Sequence, residues 1–182
     1  MARSTLTRSL HDVGLAAWFG GTLAGAVAVN PAAAQADDAT GRGAVANSAW
    51  DRWTPVNAAA IGAHLVGSVG QLAANRRRVA GQSGVGSMAL AKTALTGAAL
   101  GATAYARALG RVVDAEHRMP VASGTRPEQG TPPPVARAQQ RLRVLQWTIP
   151  ALTGGLIVVT ALAGEQQRPA EVGRGALRRL RP

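Results

Sequence analysis

The sequence contains no cysteine. Disulfide scaffolds, thiolate zinc sites and thiol catalysis are excluded at once. Aromatics are scarce at 3%, with one Phe and one Tyr, so a core of stacked large rings is excluded too. Acidic residues number 9 against 20 basic ones, for a formal charge of +11. No Asp or Glu lies inside any long apolar stretch. Proton relays and ion-coupled transporters that depend on buried carboxylates are therefore disfavoured. No Gly-X-Y period runs through the 22 glycines, so collagen is out.

What remains is alanine-rich. Hydrophobic residues make up 47% of the 182, chiefly Ala, with Val and Leu behind. An Ala core in water buries little area per residue, and burial yields only roughly 25 cal/mol per Å2. Helices in lipid associate by close backbone packing, for which small residues are suited. The apolar residues are also blocked: Val13 to Val29, Val56 to Ala74, Met88 to Ala106 and Trp147 to Ala163. Lys92 is the one formal charge inside them. Each block, about 17–19 residues, makes about 26–29 Å of helix, close to one hydrocarbon thickness. The fold expected is all-α. It is an integral membrane bundle of four transmembrane helices (13–29, 56–74, 88–106, 147–163) within 1–165, with a Pro-rich linker before the last. A basic disordered tail is expected over 166–182.

The N-terminus has two readings. Arg3 and Arg8, the apolar block and Ala34-Gln35-Ala36 match a secretory signal cleaved after Ala36, which would make an exported protein. Trp18 and the Gly21/Gly25 spacing favour a retained helix instead. Further on, Ala44 to Trp53 reads as a short amphipathic helix, with Trp50 and Trp53 either in an interfacial belt or packed on the protein itself. Thr54 then suits an N-cap, with Pro55 at the first position of the second helix. The third helix is expected to continue through Arg107, Arg111 and Asp114. Met119 to Val135, with Pro132-Pro133-Pro134, reads as a flexible linker, and Pro150 sits near the start of the fourth helix. The triple Arg76-Arg77-Arg78 and the Arg-rich C-terminus favour cytoplasmic termini at the plasma membrane, against the arginines between blocks three and four.

His64 and His11 are the candidate metal or haem ligands. If the first two blocks pair end to end, the two histidines differ in depth by about 13–15 Å, too much for one centre. Lys92 can snorkel from near the end of its block. Gly86 to Thr93 misses the phosphate-loop pattern, because Ala91 stands at its second Gly. No His, Ser and carboxylate share a motif, so neither an enzyme nor a resident cofactor is expected. Small residues four apart recur in every block: Gly21 and Gly25, Ala63 and Gly67, Gly97 and Gly101, Ala151 and Gly155. They suit packing inside the bundle, a homo-oligomer or a partner membrane protein. The arginines suit anchoring in the lipid bilayer and contact with anionic lipids. Without stacking aromatics beside them, nucleic acid is not expected.

Leu10-His11-Asp12-Val13-Gly14-Leu15-Ala16-Ala17-Trp18-Phe19-Gly20-Gly21 and Thr54-Pro55-Val56-Asn57-Ala58-Ala59-Ala60-Ile61-Gly62-Ala63-His64-Leu65 resemble a group of uncharacterised actinobacterial multi-pass membrane proteins. That likeness implies no activity. The His11, Trp18 and Gly20-Gly21 portion is also similar to four-helix copper-resistance membrane domains. The expected role is structural or partner-binding, with metal or haem handling at His64 as the alternative.

Overall fold

The structure, a computed structural model, describes residues 5–81, 84–115 and 120–165. Four long helices account for most of them. Helix α1 runs Thr5–Ala33, with a π-helical turn at Gly25–Val29. Helix α2 is Ala39–Gly81, α3 is Val85–Asp114 and α4 is Pro133–Glu165. A small hairpin, β1 (Val121–Ser123) and β2 (Arg126–Pro127), lies between α3 and α4. The tail expected over 166–182 lies outside the described residues.

Two helices, α1 and α4, are long and apolar enough to cross a membrane, with mean hydropathies of 1.4 and 1.6. This is a coarser result than the four spans expected from the blocks. Helices α2 and α3 fall short because Ala, Gly, Ser, Thr and Asn dilute their apolar content. Their helices also outrun their blocks. At 43 residues α2 is about 65 Å long, roughly twice a hydrocarbon core.

That length overturns the boundary expected at Thr54-Pro55. The stretch before it is not a separate amphipathic helix. It is the first part of α2, and Pro55 lies in the helix interior. The Thr54 hydroxyl does not cap an N-terminus but donates back to the Trp50 carbonyl at 2.8 Å. Pro150 likewise lies well inside α4. Helix α2 ends at Gly81 and α3 begins at Val85. Gly84, at φ +82°, adopts the left-handed conformation that glycine enters without a Cβ clash. Helix α3 does continue through Arg107 and Arg111 to Asp114.

The linker is structured in part. In the hairpin Val121 pairs with Pro127, and Ser123 with Arg126. Val121, Ser123 and Thr125 are buried. The turn glycine Gly124 comes close to Ala46 of α2, and the Gln139 amide of α4 donates to the Ser123 carbonyl at 3.2 Å. The hairpin therefore ties the start of α4 to the start of α2. Beneath it, Leu109 and Val113 of α3 pack on Val135 and Ala138 of α4.

Helices α1 and α2 run antiparallel, and glycine sets their register. A Cβ at Gly14 would strike the Ala60 carbonyl and the His64 amide, and one at Gly67 would strike the backbone of Thr7 and His11. Gly21 and Gly25 instead receive the Trp53 and Trp50 indoles. Block ends 13 and 74 are therefore not neighbours. The pairing is shifted by about ten residues, or about 15 Å along the axis.

Candidate functional site

The shifted register brings the two histidines together. His11 sits on α1 at the Gly67 contact, and His64 sits on α2 opposite Gly14. Their ring centroids are 4.6 Å apart at an interplanar angle of 49°, and both side chains are fully buried. The depth separation expected from the sequence is thus corrected. It rested on aligning apolar blocks end to end, whereas backbone contacts at Gly14 and Gly67 decide the register.

Each imidazole is held by its Nδ1. That of His11 lies 2.7 Å from Asp12 Oδ1, and that of His64 lies 3.4 Å from the His11 carbonyl oxygen. Carboxylate and carbonyl oxygens only accept, so in the neutral rings both Nδ1 atoms carry the proton and both Nε2 atoms carry the lone pair. His64 Nε2 faces the hydroxyls of Thr96 at 3.4 Å and Ser68 at 3.5 Å. His11 Nε2 is buried without a hydrogen-bond partner. Trp18, also fully buried, closes one side of the pair with its ring 6.1 Å from that of His64. Its indole N–H donates to Thr103 of α3 at 3.2 Å.

A lone pair with nothing to accept, on an imidazole oriented by a carboxylate, is the arrangement of a metal-ligating histidine with its supporting group. The set is small, however. Among the described residues no cluster of three or more His, Asp or Glu side chains could hold a metal ion. The rings also touch each other, so no porphyrin fits between them as between the axial ligands of a bis-histidine haem.

Toward the hairpin end a second polar cluster joins the helices. The Trp50 indole donates to Asn30 Oδ1 at 3.0 Å, and the Asn30 amide donates to Gln146 Oε1 at 2.9 Å, linking α2, α1 and α4. Asn47 donates to Asp114 at 3.0 Å, and Arg107 pairs with Asp51 at 3.2 Å, linking α2 to α3. They line a partly open cavity of about 150 Å3. Asn30 reads in the sequence only as the residue where an apolar block stops. Its bridging role, like that of Gln146, was missed, because no local pattern distinguishes an inward amide from a loop amide. Trp50 and Trp53 pack on α1, and Trp147 is the tryptophan with a half-exposed ring, at 52%.

The expected packing residues divide. Gly21, Gly25 and Gly67 are in close contact, and Ala63 is half-buried beside His64. Beside Gly97, Gly101 and Gly155 a Cβ would meet nothing within 4 Å, and Ala151 is exposed. Gly14 and Gly70, absent from the four-residue pairs, make contacts with α2 and α1 respectively. Gly97 lines an open groove of about 440 Å3 between α2 and α3, whose wall includes Ser68, Thr96 and Lys92.

Comparison with protein-family models, with curated proteins and with solved structures finds no match to this chain.

Proposed function

We propose that this chain is a small multi-pass membrane protein of four spans that acts by helix packing and binding within the plasma membrane, without catalysis. The observation that carries the reading is where the apolar surface goes. Only 33% and 22% of the apolar windows of α1 and α4 are buried, whereas the core helix of a soluble bundle is mostly buried. Leu6, Val13, Val144, Val158 and Leu162 face outward on these helices, and Val66, Val69, Leu72 and Leu90 do so on α2 and α3. Residues 53–75 and 93–106 of α2 and α3 carry no Lys, Arg, Asp or Glu. Helix α1 is retained in this reading, since Trp18, Leu15 and His11 are among the buried residues.

The absence of cysteine makes the topology directly measurable. Single replacements Asp38→Cys, Ser83→Cys, Glu128→Cys and Arg174→Cys are labelled in intact cells with a membrane-impermeant maleimide. Positions 38 and 128 are expected to label from outside, and 83 and 174 only after permeabilisation. Equal labelling of all four, or a chain that stays monodisperse without detergent, would overturn the reading. A mature N-terminus at Asp37 would replace it by the exported alternative.

The touching imidazoles support a second reading, in which the His11–His64 pair binds a soft or borderline ion such as Cu(I) or Zn(II). The two Nε2 lone pairs would be ligands, and the remaining positions would go to groups outside the protein's His, Asp and Glu. One ion per chain is then expected after loading and desalting, and His64→Ala should abolish retention. Wild-type protein that retains no more metal than the variant ends this reading.

A further inference from the structure

We propose that the groove between α2 and α3 holds one anionic phospholipid, its phosphate at Lys92 and Gln71 and an acyl chain running along Leu65 and Leu100. The inference rests on the membrane reading and adds a ligand to it. The groove, about 440 Å3, falls within the ordinary size range of ligand cavities. Its one charge, Lys92, lies with Gln71 and Asn75 toward the α2–α3 junction, between apolar walls that include Leu72, Val85 and Met88; Leu65, Gly97 and Leu100 lie toward mid-bundle beside Ser68 and Thr96. In the proposed topology the charged end is the one nearer the membrane surface.

The polar end supplies an unpartnered amide donor and a cation but no carboxylate. Gln71 Nε2 is buried with no hydrogen-bond partner. Lys92 is half-buried, and among the described residues no carboxylate lies within ion-pair distance of its ammonium. The carboxylate nearest in charge range, Asp12, is engaged by His11, and Arg8 adds positive charge to the same region. Arg76, exposed one turn beyond Leu72, adds more. Whatever fills the groove must therefore bring acceptor oxygens and negative charge to this end. A helix from a second copy would bring an apolar face and enclose the ammonium uncompensated, which is unfavourable. A phospholipid satisfies both ends. Gly97 leaves space for the chain, because nothing lies within 4 Å of its missing Cβ. The floor ends on Ser68 and Thr96, the two hydroxyls that face His64, so a bound chain would abut the imidazole pair.

The test reads lipid retained by the full chain on native mass spectrometry, after release from nanodiscs of equimolar palmitoyl-oleoyl phosphatidylglycerol and phosphatidylcholine. One phosphatidylglycerol per chain is expected. Lys92→Gln should lower its retention about fivefold, the effect of one basic residue on an anionic lipid. Gly97→Leu should abolish retention by filling the groove while Lys92 stays in place. Ala89→Leu, farther along the wall, repeats the test should Gly97→Leu lose its helical circular dichroism. Equal retention of the two lipids, or phosphatidylglycerol unaffected by the variants, overturns the proposal. Displacement by glycerol 3-phosphate alone overturns it in favour of a simple anion site. A wild-type dimer that Gly97→Leu converts to monomer overturns it in favour of a second copy. A chain that needs no detergent fails the membrane reading itself, before any lipid is added.

Discussion

Gly67→Leu is expected to separate α1 from α2 and to destabilise the bundle by about 1–3 kcal/mol or more, the cost of forcing extra volume into a packed site. Gly97→Leu and Gly101→Leu should change stability by less than about 0.5 kcal/mol. All three glycines stand in small-residue pairs with the same spacing, and the sequence does not rank them. The structure does. A side chain at Gly67 meets the backbone of Thr7 and His11, which cannot rotate away, whereas at Gly97 and Gly101 it meets open space. Reversible unfolding in mixed detergent micelles measures the difference. Because Gly67 also fixes the level of His11 against His64, the Gly67 variant should further lose any metal retained by wild type. Equal stabilities for the Gly67 and Gly97 variants would mean that the α1–α2 register is not the one described.

The four helices were legible because charge falls between apolar blocks, a pattern that separates apolar from polar stretches of chain. It does not mark where a helix stops. Thr54-Pro55 has the chemistry of a helix start, yet α2 passes through it, since Pro55 removes one amide donor and the tertiary contacts of Trp50 and Trp53 on α1 remain. The register was not legible either. Aligning blocks by their ends assumes that lipid alone sets depth. Contacts at Gly14 and Gly67 shift the pair by nearly three turns. The candidate histidines were named from their type and position, but their meeting depends on that shift. The inward amides of Asn30 and Gln146 left no trace in local sequence at all. In the linker, Pro and Gly predict a flexible stretch, whereas a hairpin forms at 121–127 and α4 already starts at Pro133. The seating of Val121 against Gly43, and of Gly124 against Ala46, depends on contacts with α2 far away in the chain.

Trp18→Ala is expected to cost about 3–5 kcal/mol, the usual range for emptying a large aromatic site. Trp147→Ala should cost less than about 0.5 kcal/mol. Both residues are tryptophans on apolar helices, so neither composition nor hydropathy separates them. Trp18 is fully buried, while Trp147 keeps 52% of its surface. In the proposed membrane setting, an outward ring exchanges protein contacts for acyl-chain contacts at little loss, because that solvent is as apolar as the protein. An inward ring has no such substitute: its removal leaves a cavity that lipid cannot reach, and dispersion contacts with α2 and α3 are lost outright. Trp18→Phe separates the two contributions of the residue. It keeps most of the volume and loses the hydrogen bond to Thr103, so about 1 kcal/mol of the total should go with it. The cavity in Trp18→Ala would open beside His64, whose ring Trp18 flanks at 6.1 Å. The same variant should therefore loosen the imidazole pair and broaden the His64 ring resonances in nuclear magnetic resonance spectra. If Trp18→Ala and Trp147→Ala unfold at the same detergent composition, then Trp18 faces the same solvent as Trp147, and the bundle has no inside of the kind described.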